Sequence, residues 1–258
     1  MIYKPTFLNQ NRPLNCCMIQ SRTALEASIT IRNGAFDGCD AYGYQYCKLN
    51  KAERNEETLK RIFSYADGKP IYVTNYRASE SAGQSDEELF EDMTLMLDCG
   101  ATLVDMMGDY FCRTEGELTM DRAAVEKQKE YIKLIHDRGG EVLMSSHVLK
   151  YTPAERVLEI AMEHQSRGAD ISKIVTAANS VEEELEALSI IAMLRKKLDI
   201  PFLFLCGGSH TQLVRTVGPA LGCVMWLSVQ RHDELSTKVQ PLTRAITQIR
   251  DNFSWTQR

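Results

Sequence analysis

The amino-acid sequence predicts an α/β fold, a (β/α)8 TIM barrel formed as a single domain over residues 1–258. Short apolar runs alternate with longer amphipathic stretches eight times along the chain, at a spacing of about 25–30 residues. The length of 258 residues is near the roughly 250 that such a barrel uses. An open doubly wound sheet is the alternative on pattern alone, but the regular spacing favours the barrel. No glycine-rich dinucleotide motif or P-loop motif supports a nucleotide site.

The eight predicted strands are short and rich in β-branched and large apolar residues, which is typical of strands buried on both faces. They are Asn15–Gln20, Asp40–Lys48, Pro70–Tyr76, Leu103–Met107, Glu141–His147, Ile171–Thr176, Pro201–Cys206 and Cys223–Val229. A helical pattern with cap or stop signals follows each strand. These patterns cover Arg22–Gly34, Ala52–Ala66, Ser85–Cys99, Met120–Arg138, Thr152–Arg167, Ser180–Leu198, His210–Leu221 and Lys238–Phe253.

Composition narrows the class of protein further. The formal net charge of −5 argues against a nucleic-acid partner or an anionic membrane surface. No apolar run reaches the ~20 residues that span a bilayer, and the first residues lack a signal-peptide pattern. The eight cysteines form no CxxC pair, so we expect reduced, buried thiols in a soluble cytoplasmic protein. Cysteine and histidine are not clustered as metal ligands are, so no metal site is expected.

The chemistry of a β/α barrel lies at the carboxyl ends of its strands. Lys173 stands within the apolar sixth strand, where an ammonium is poorly solvated and a neutral amine becomes a nucleophile. The alternative is a strand-edge lysine whose head group reaches water. His147 ends the preceding strand, and neighbouring strands lie roughly 5 Å apart, so the two residues can flank one small substrate. The alternative for His147 is a histidine hydrogen-bonded to backbone.

Several segments around these two residues resemble the type I 3-dehydroquinate dehydratases, β/α barrels of this size in the shikimate pathway of aromatic amino acid biosynthesis. The most specific block joins Ser146-His147 and Thr152-Pro153 to the run Gly168-Ala169-Asp170-Ile171-Ser172-Lys173-Ile174. The resemblance covers nearly the whole chain. It continues through Val104-Asp105-Met106, the stretch from Gly208 to Arg215, and the loop Ser236-Thr237-Lys238-Val239-Gln240.

The resemblance implies a carbon–oxygen lyase that works through a Schiff base. Lys173 would form an imine with a substrate ketone, and His147 would remove the neighbouring proton and then protonate the departing hydroxyl in a syn-type elimination. Arg215, Ser236 and Gln240 would hold a substrate carboxylate, which suits a guanidinium fork. No cofactor is expected, because the iminium itself serves as the electron sink.

Two strand ends depart from the family pattern. The family's second strand ends in a Glu-x-Arg pair that contacts substrate hydroxyls, and Gly43 and Gln45 occupy those places here. The third strand carries one extra residue before Arg77. We therefore expect Gln45 and Arg77 to contact the substrate in altered ways, and Glu80 to orient His147.

Three functions remain open from the sequence. The first is a 3-dehydroquinate dehydratase with a divergent site. The second is a related imine-forming lyase or aldolase that acts on another keto acid or keto sugar, and the third is a non-catalytic binding barrel. The expected partners are a small-molecule substrate and a second copy of the chain in a homodimer. We expect surface or capping roles for the other histidines, which are His136, His164, His210 and His232.

Overall fold

The computed structural model describes residues 5–255 and confirms the (β/α)8 class. Eight strands alternate with eight α-helices over this range, and the strand pairs are parallel. The strands are β1 Leu14–Ile19, β2 Ala41–Gln45, β3 Ile71–Thr74, β4 Leu103–Met107, β5 Glu141–His147, β6 Ile171–Ala177, β7 Phe202–Gly207 and β8 Met225–Val229. The helices are α1 Ala24–Phe36, α2 Glu56–Ser64, α3 Asp86–Asp98, α4 Arg122–Asp137, α5 Ala154–Ser166, α6 Val181–Lys197, α7 Gln212–Leu221 and α8 Thr243–Asp251.

The described chain divides into two compact units. The first comprises the described residues up to Val104 together with those from Leu227 onwards, and its strands follow the order β8-β1-β2-β3. The second comprises Asp105–Trp226, with the order β5-β6-β7. In the second unit the register places Ser145 opposite Lys173, and Lys173 opposite Leu203.

Most predicted boundaries agree with the structure to within three residues. The second helix begins at Glu56 rather than at the predicted Ala52, because a separate 3-10 helix covers Lys51–Glu53. The predicted second strand ran to Lys48, but the chain turns into a 3-10 helix at Tyr46. The last helix was predicted from Lys238, yet α8 begins at Thr243. Before it, residues 238–240 form a turn in which the Gln240 N–H donates to the Thr237 carbonyl, and Leu242 forms a parallel bridge to Val229.

The cysteines agree with the expectation of reduced thiols. All eight are free, and all are buried except the partly exposed Cys112. Burial raises the pKa of the Cys223 thiol to about 12, so this group behaves as a small apolar side chain. No helix within residues 5–255 is both long and apolar enough to cross a membrane.

An ion triad ties the start of β1 to α8 in the first unit. Asp40 accepts hydrogen bonds from Arg12 at 2.8 Å and from Arg250 at 2.8 Å, and also from the backbone N–H of Asn15 at 2.9 Å. Burial of Asp40 opposes its ionisation, but these donors outweigh burial and hold the pKa of the carboxyl below its usual value.

We expect Asp40→Asn to lower the free energy of unfolding by about 1–3 kcal/mol, since hydrogen bonds to a charged group are lost. The folded-state pKa lies below the unfolded value of about 3.9, so the stabilisation is complete above that value and is lost as the pH falls through the folded-state pKa. Urea denaturation of both proteins between pH 2 and 7 measures this difference. The exposed Glu56, paired only with Lys60 one helical turn away, provides the control variant Glu56→Gln. Equal losses in both variants would contradict the role of the triad.

Candidate active site

The pairing of β5 with β6 brings the predicted amine and imidazole onto neighbouring strands. Lys173 lies opposite Ser145, and Val175 lies opposite His147. Side chains alternate along a strand, so Ser145 and His147 share one face of β5, while Ser146 points to the other. The register therefore places Lys173 and His147 on paired strands, two positions apart along the strand direction.

Lys173 is buried, with 3% of its surface exposed, so the alternative of a strand-edge lysine reaching water is wrong. Its Nζ lies 3.1 Å from Oδ2 of Asp105, which is equally buried at 3%. The other carboxylate oxygen accepts a 2.6 Å hydrogen bond from Ser145 Oγ. An unpaired charge at this depth would be strongly destabilising, so the ion pair is what allows an amine in this strand.

Asp105 is a site residue that sequence reasoning missed. It was noted only as part of a strand that resembles the family, and no role was given to it. The signal was present, because a carboxylate within the apolar run Leu103–Met107 needs a buried partner.

His147 is oriented by Glu117. Oε2 of Glu117 lies 2.6 Å from His147 Nδ1 and also accepts the backbone N–H of His147 at 3.2 Å. A carboxylate oxygen only accepts, so Nδ1 carries the ring proton and the neutral imidazole keeps its lone pair on Nε2. This arrangement suits a general base, and the carboxylate stabilises the imidazolium that forms when the base takes a proton.

The carboxylate on Nδ1 is therefore Glu117, where the sequence analysis expected Glu80. Glu80 lies in the first unit, in the 3-10 turn Ser79–Ser81. Glu117 lies in the second unit, in the loop between β4 and α4, and the bridge between Gly108 and Leu118 fixes the end of that loop. Glu117 was not predicted, because this loop shows no regular pattern in the sequence from which its path could be inferred.

Arg215 is a buried cation in the same unit as Lys173. Its side chain is 7% exposed in total, and Nε donates to the carbonyl of Cys206 at 2.9 Å and to Oγ1 of Thr211 at 3.2 Å. Burial lowers the pKa of this guanidinium to about 10. No carboxylate among residues 5–255 pairs with it, so an anionic ligand would supply the charge that the protein does not.

The remaining predicted site residues lie in the first unit. Arg77 forms a two-point ion pair with Asp86, at 2.7 and 2.8 Å, and both side chains are largely buried. This pairing uses the Nε and Nη2 groups of the guanidinium. Gln45 accepts a 2.7 Å hydrogen bond from Gln20 Nε2, which also binds Thr237.

The other two predicted site residues, Ser236 and Gln240, lie in the loop after β8. The hydroxyl of Ser236 donates to the carbonyl of Asp233 and accepts from its backbone N–H, so it closes a turn. Gln240 is buried, and no hydrogen-bond partner within the described chain reaches its Oε1. Contacts to substrate by these two residues, and by Gln45 and Arg77, stay predictions.

The four other histidines were expected to have surface or capping roles, and the outcomes for His136 and His164 differ. His136 is partly exposed and pairs with Asp170 at 2.8 Å, as a surface residue does. For His164 the expectation is wrong, because none of its surface is exposed. Its ring lies between Ser146 and Ser172, at 3.0 and 2.9 Å.

The fold and the buried amine define a (β/α)8 protein with a site suited to Schiff-base chemistry. Within that class, the chain belongs to the type I 3-dehydroquinase family, whose family model matches residues 39–252. This match confirms the resemblance carried by the segments around His147 and Lys173.

Curated relatives support the same family. A 3-dehydroquinate dehydratase of Alkaliphilus oremlandii is 30% identical over 108 residues, which are 41% of each chain. One of Lactiplantibacillus plantarum is 29% identical over 176 residues, covering 61% of this chain and 69% of the relative. The match thus spans less than half the length of the first relative. The crystal structure of a 3-dehydroquinate dehydratase from Geobacillus kaustophilus superposes with a TM-score of 0.77 at 17% identity, covering 96% of this chain and 93% of that one, which shows the same fold.

The assignment of Glu117 predicts a specific loss of imidazole order. In Glu117→Ala, Nδ1 of His147 has no carboxylate, so we expect the single Nδ1–H tautomer to become a mixture. Imidazole ¹⁵N chemical shifts in selectively labelled protein measure this directly. Glu80→Ala is the matched control and should leave the shifts unchanged. Unchanged shifts in Glu117→Ala together with changed shifts in Glu80→Ala would restore the role first expected for Glu80.

Proposed function

We propose that this chain is a Schiff-base dehydratase that removes water from a cyclic β-hydroxy ketone carboxylate, with 3-dehydroquinate as the first candidate substrate. One observation carries the proposal. A buried lysine amine on β6 is paired with Asp105, and an imidazole with an assigned base nitrogen ends the neighbouring strand. Family membership and the buried Arg215 support the substrate class.

The first step forms the imine. The Lys173 ammonium gives up a proton, for which Asp105 at 3.1 Å is a suitably placed acceptor. The neutral amine attacks the ketone carbon, the carbonyl oxygen is protonated, and water leaves as the C=N⁺ bond forms. Ser145 keeps the Asp105 carboxylate in place during this exchange.

The second step is the elimination. Nε2 of His147 removes a proton from the carbon next to the iminium, and the C–H electrons move to the nitrogen to give an enamine. The imidazolium, stabilised by Glu117, then protonates the β-hydroxyl as the enamine electrons expel it as water. Because one residue takes and returns the proton, the elimination is syn. Hydrolysis of the product iminium releases the enone and restores Lys173.

Binding of the substrate carboxylate falls to Arg215. Its Nε is used by Cys206 and Thr211, which fixes the plane of the guanidinium and directs its Nη groups. A desolvated guanidinium binds a carboxylate with two parallel hydrogen bonds.

A cytoplasmic location, a homodimeric assembly and the lack of a nucleic-acid partner remain part of this proposal.

A second candidate is an imine-forming lyase or aldolase for another keto acid, and the end of β2 favours it. A Cβ at Gly43 would overlap the sulfur of Met18 and lie 2.9 Å from its Cε, so Met18 occupies the space where the family pattern has Glu. The Gln45 amide, at the place of the family's Arg, is bonded to Gln20. Contacts to substrate hydroxyls that the family pattern provides are therefore missing from these two positions.

Borohydride trapping tests the imine. Incubation with 3-dehydroquinate and borohydride should add one reduced substrate mass to the protein, and Lys173→Ala should abolish the adduct. His147→Ala should still trap the imine but lose enone formation by at least about 100-fold, the usual contribution of a general base. An adduct without enone would favour the second candidate. No adduct with any keto acid would leave only a non-catalytic barrel.

Replacement of Arg215 tests the carboxylate site. Arg215→Met removes charge-assisted hydrogen bonds worth about 1.5–3 kcal/mol, so KM should rise roughly 10- to 100-fold. Arg215→Lys keeps the positive charge but cannot form the two parallel hydrogen bonds. Its KM should therefore lie between those of the wild-type protein and Arg215→Met. A ketone analogue that lacks the carboxylate serves as the control, because its trapping by borohydride should be equal in all three proteins. An unchanged KM in Arg215→Met would move the carboxylate site elsewhere.

A further inference from the structure

We propose that Ser146 and His164, on the far side of β5 from the reaction, are positioning residues that hold Glu117 against His147. The inference rests on the proposed function, since it concerns the base of that reaction. It starts from the alternation of side chains along β5, which turns Ser146 away from the face shared by Ser145 and His147.

The hydroxyl of Ser146 connects two elements. It donates to the backbone carbonyl of Glu117 at 2.7 Å and lies 3.0 Å from Nε2 of His164 on α5. Nδ1 of His164 lies 2.9 Å from the hydroxyl of Ser172 on β6. A continuous line of hydrogen bonds therefore runs from β6 through α5 and β5 to the residue that contacts the catalytic imidazole.

Only one assignment of donors and acceptors satisfies every hydrogen bond in this line. A carbonyl oxygen cannot donate, so the single proton of Ser146 points to Glu117. Ser146 must then accept from His164, which places the ring proton of His164 on Nε2. The neutral ring accepts at Nδ1, so Ser172 donates to it. Each group has one role, and the arrangement has no degenerate alternative.

Burial keeps His164 in the neutral form that this arrangement needs. Complete burial lowers the pKa of His164 to about 3, and the nearby charge of Arg167 adds to this effect, although Asp105 opposes it. The ring therefore keeps one N–H and one lone pair at any pH at which an enzyme of this kind would work. A neutral histidine here acts as a fixed donor.

The backbone of Glu117 needs such support. Its φ is +52°, in the left-handed region that residues with side chains rarely adopt, and Gly116 before it has a φ of +81°. The chain passes so close to β4 that a Cβ at Gly108 would lie 2.7 Å from the Glu117 carbonyl. The hydroxyl of Ser146 binds this same carbonyl, so it fixes the residue whose carboxylate reaches His147.

The test separates positioning from folding. Ser146→Ala and His164→Leu should each lower kcat roughly tenfold, a fraction of what a general base contributes. KM and borohydride trapping at Lys173 should be unchanged, because the amine and Arg215 are untouched. The ¹⁵N shifts of His147 should report a tautomer mixture. His164→Gln, whose amide can still donate to Ser146, should recover most of the lost kcat.

Ser228→Ala provides a matched control. Ser228 is as buried as Ser146 and bonds Asn15 and Thr243 in the first unit. It should lower the melting temperature by a similar amount without changing kcat or the His147 shifts. Wild-type kcat and an unchanged tautomer in both Ser146→Ala and His164→Leu would overturn the inference. So would a kcat loss in His164→Gln equal to that in His164→Leu. Absence of an imine adduct in the wild-type protein would instead refute the proposed function.

Discussion

The ion pair between Asp105 and Lys173 is the constraint on which the candidate site depends. A buried amine is unfavourable by itself, and a buried carboxylate is equally so, yet each neutralises the other at 3.1 Å. Ser145 satisfies the remaining carboxylate oxygen. Three consecutive strands, β4, β5 and β6, thus each supply one group. Removal of Asp105 would take a partner from both of the other groups, whereas removal of Lys173 or Ser145 would take a partner from Asp105 alone.

The two faces of β5 carry residues with different proposed roles. One face carries His147 and Ser145, which binds Asp105, and the other carries Ser146, which meets α5 through His164. The pleat of the strand places these roles on alternate residues. The support that we propose for the imidazole reaches it through Glu117, whose carbonyl binds Ser146 and whose carboxylate binds His147.

The residues that match the family pattern and those that depart from it lie in different parts of the chain. The amine, the imidazole and the buried Arg215 lie in the unit Asp105–Trp226. The replaced hydroxyl contacts at Gly43 and Gln45 lie in the other unit, where Met18 fills the space beside Gly43. This division explains why the imine chemistry follows more directly from the structure than the identity of the ketone does.

The sequence was sufficient for features that depend on local periodicity. Strand and helix order, and the placement of Lys173 and His147 on adjacent strands, follow from short apolar runs and their stops. Those patterns say nothing about a loop without a period, so Glu117 was missed, and Glu80 was chosen because it follows a strand that resembles the family.

Tertiary structure decided the remainder. Glu117 is 30 residues from His147 in the chain, and only the left-handed turn at Gly116 and Glu117 brings its carboxylate to Nδ1. His164 occurs in an ordinary helical pattern, and only the packing of α5 on β5 and β6 turns it into a buried donor. The sequence thus determined the fold class and the reacting pair, because these are set by neighbours in the chain. The partners that orient the base are set by contacts between distant segments, which no local pattern records.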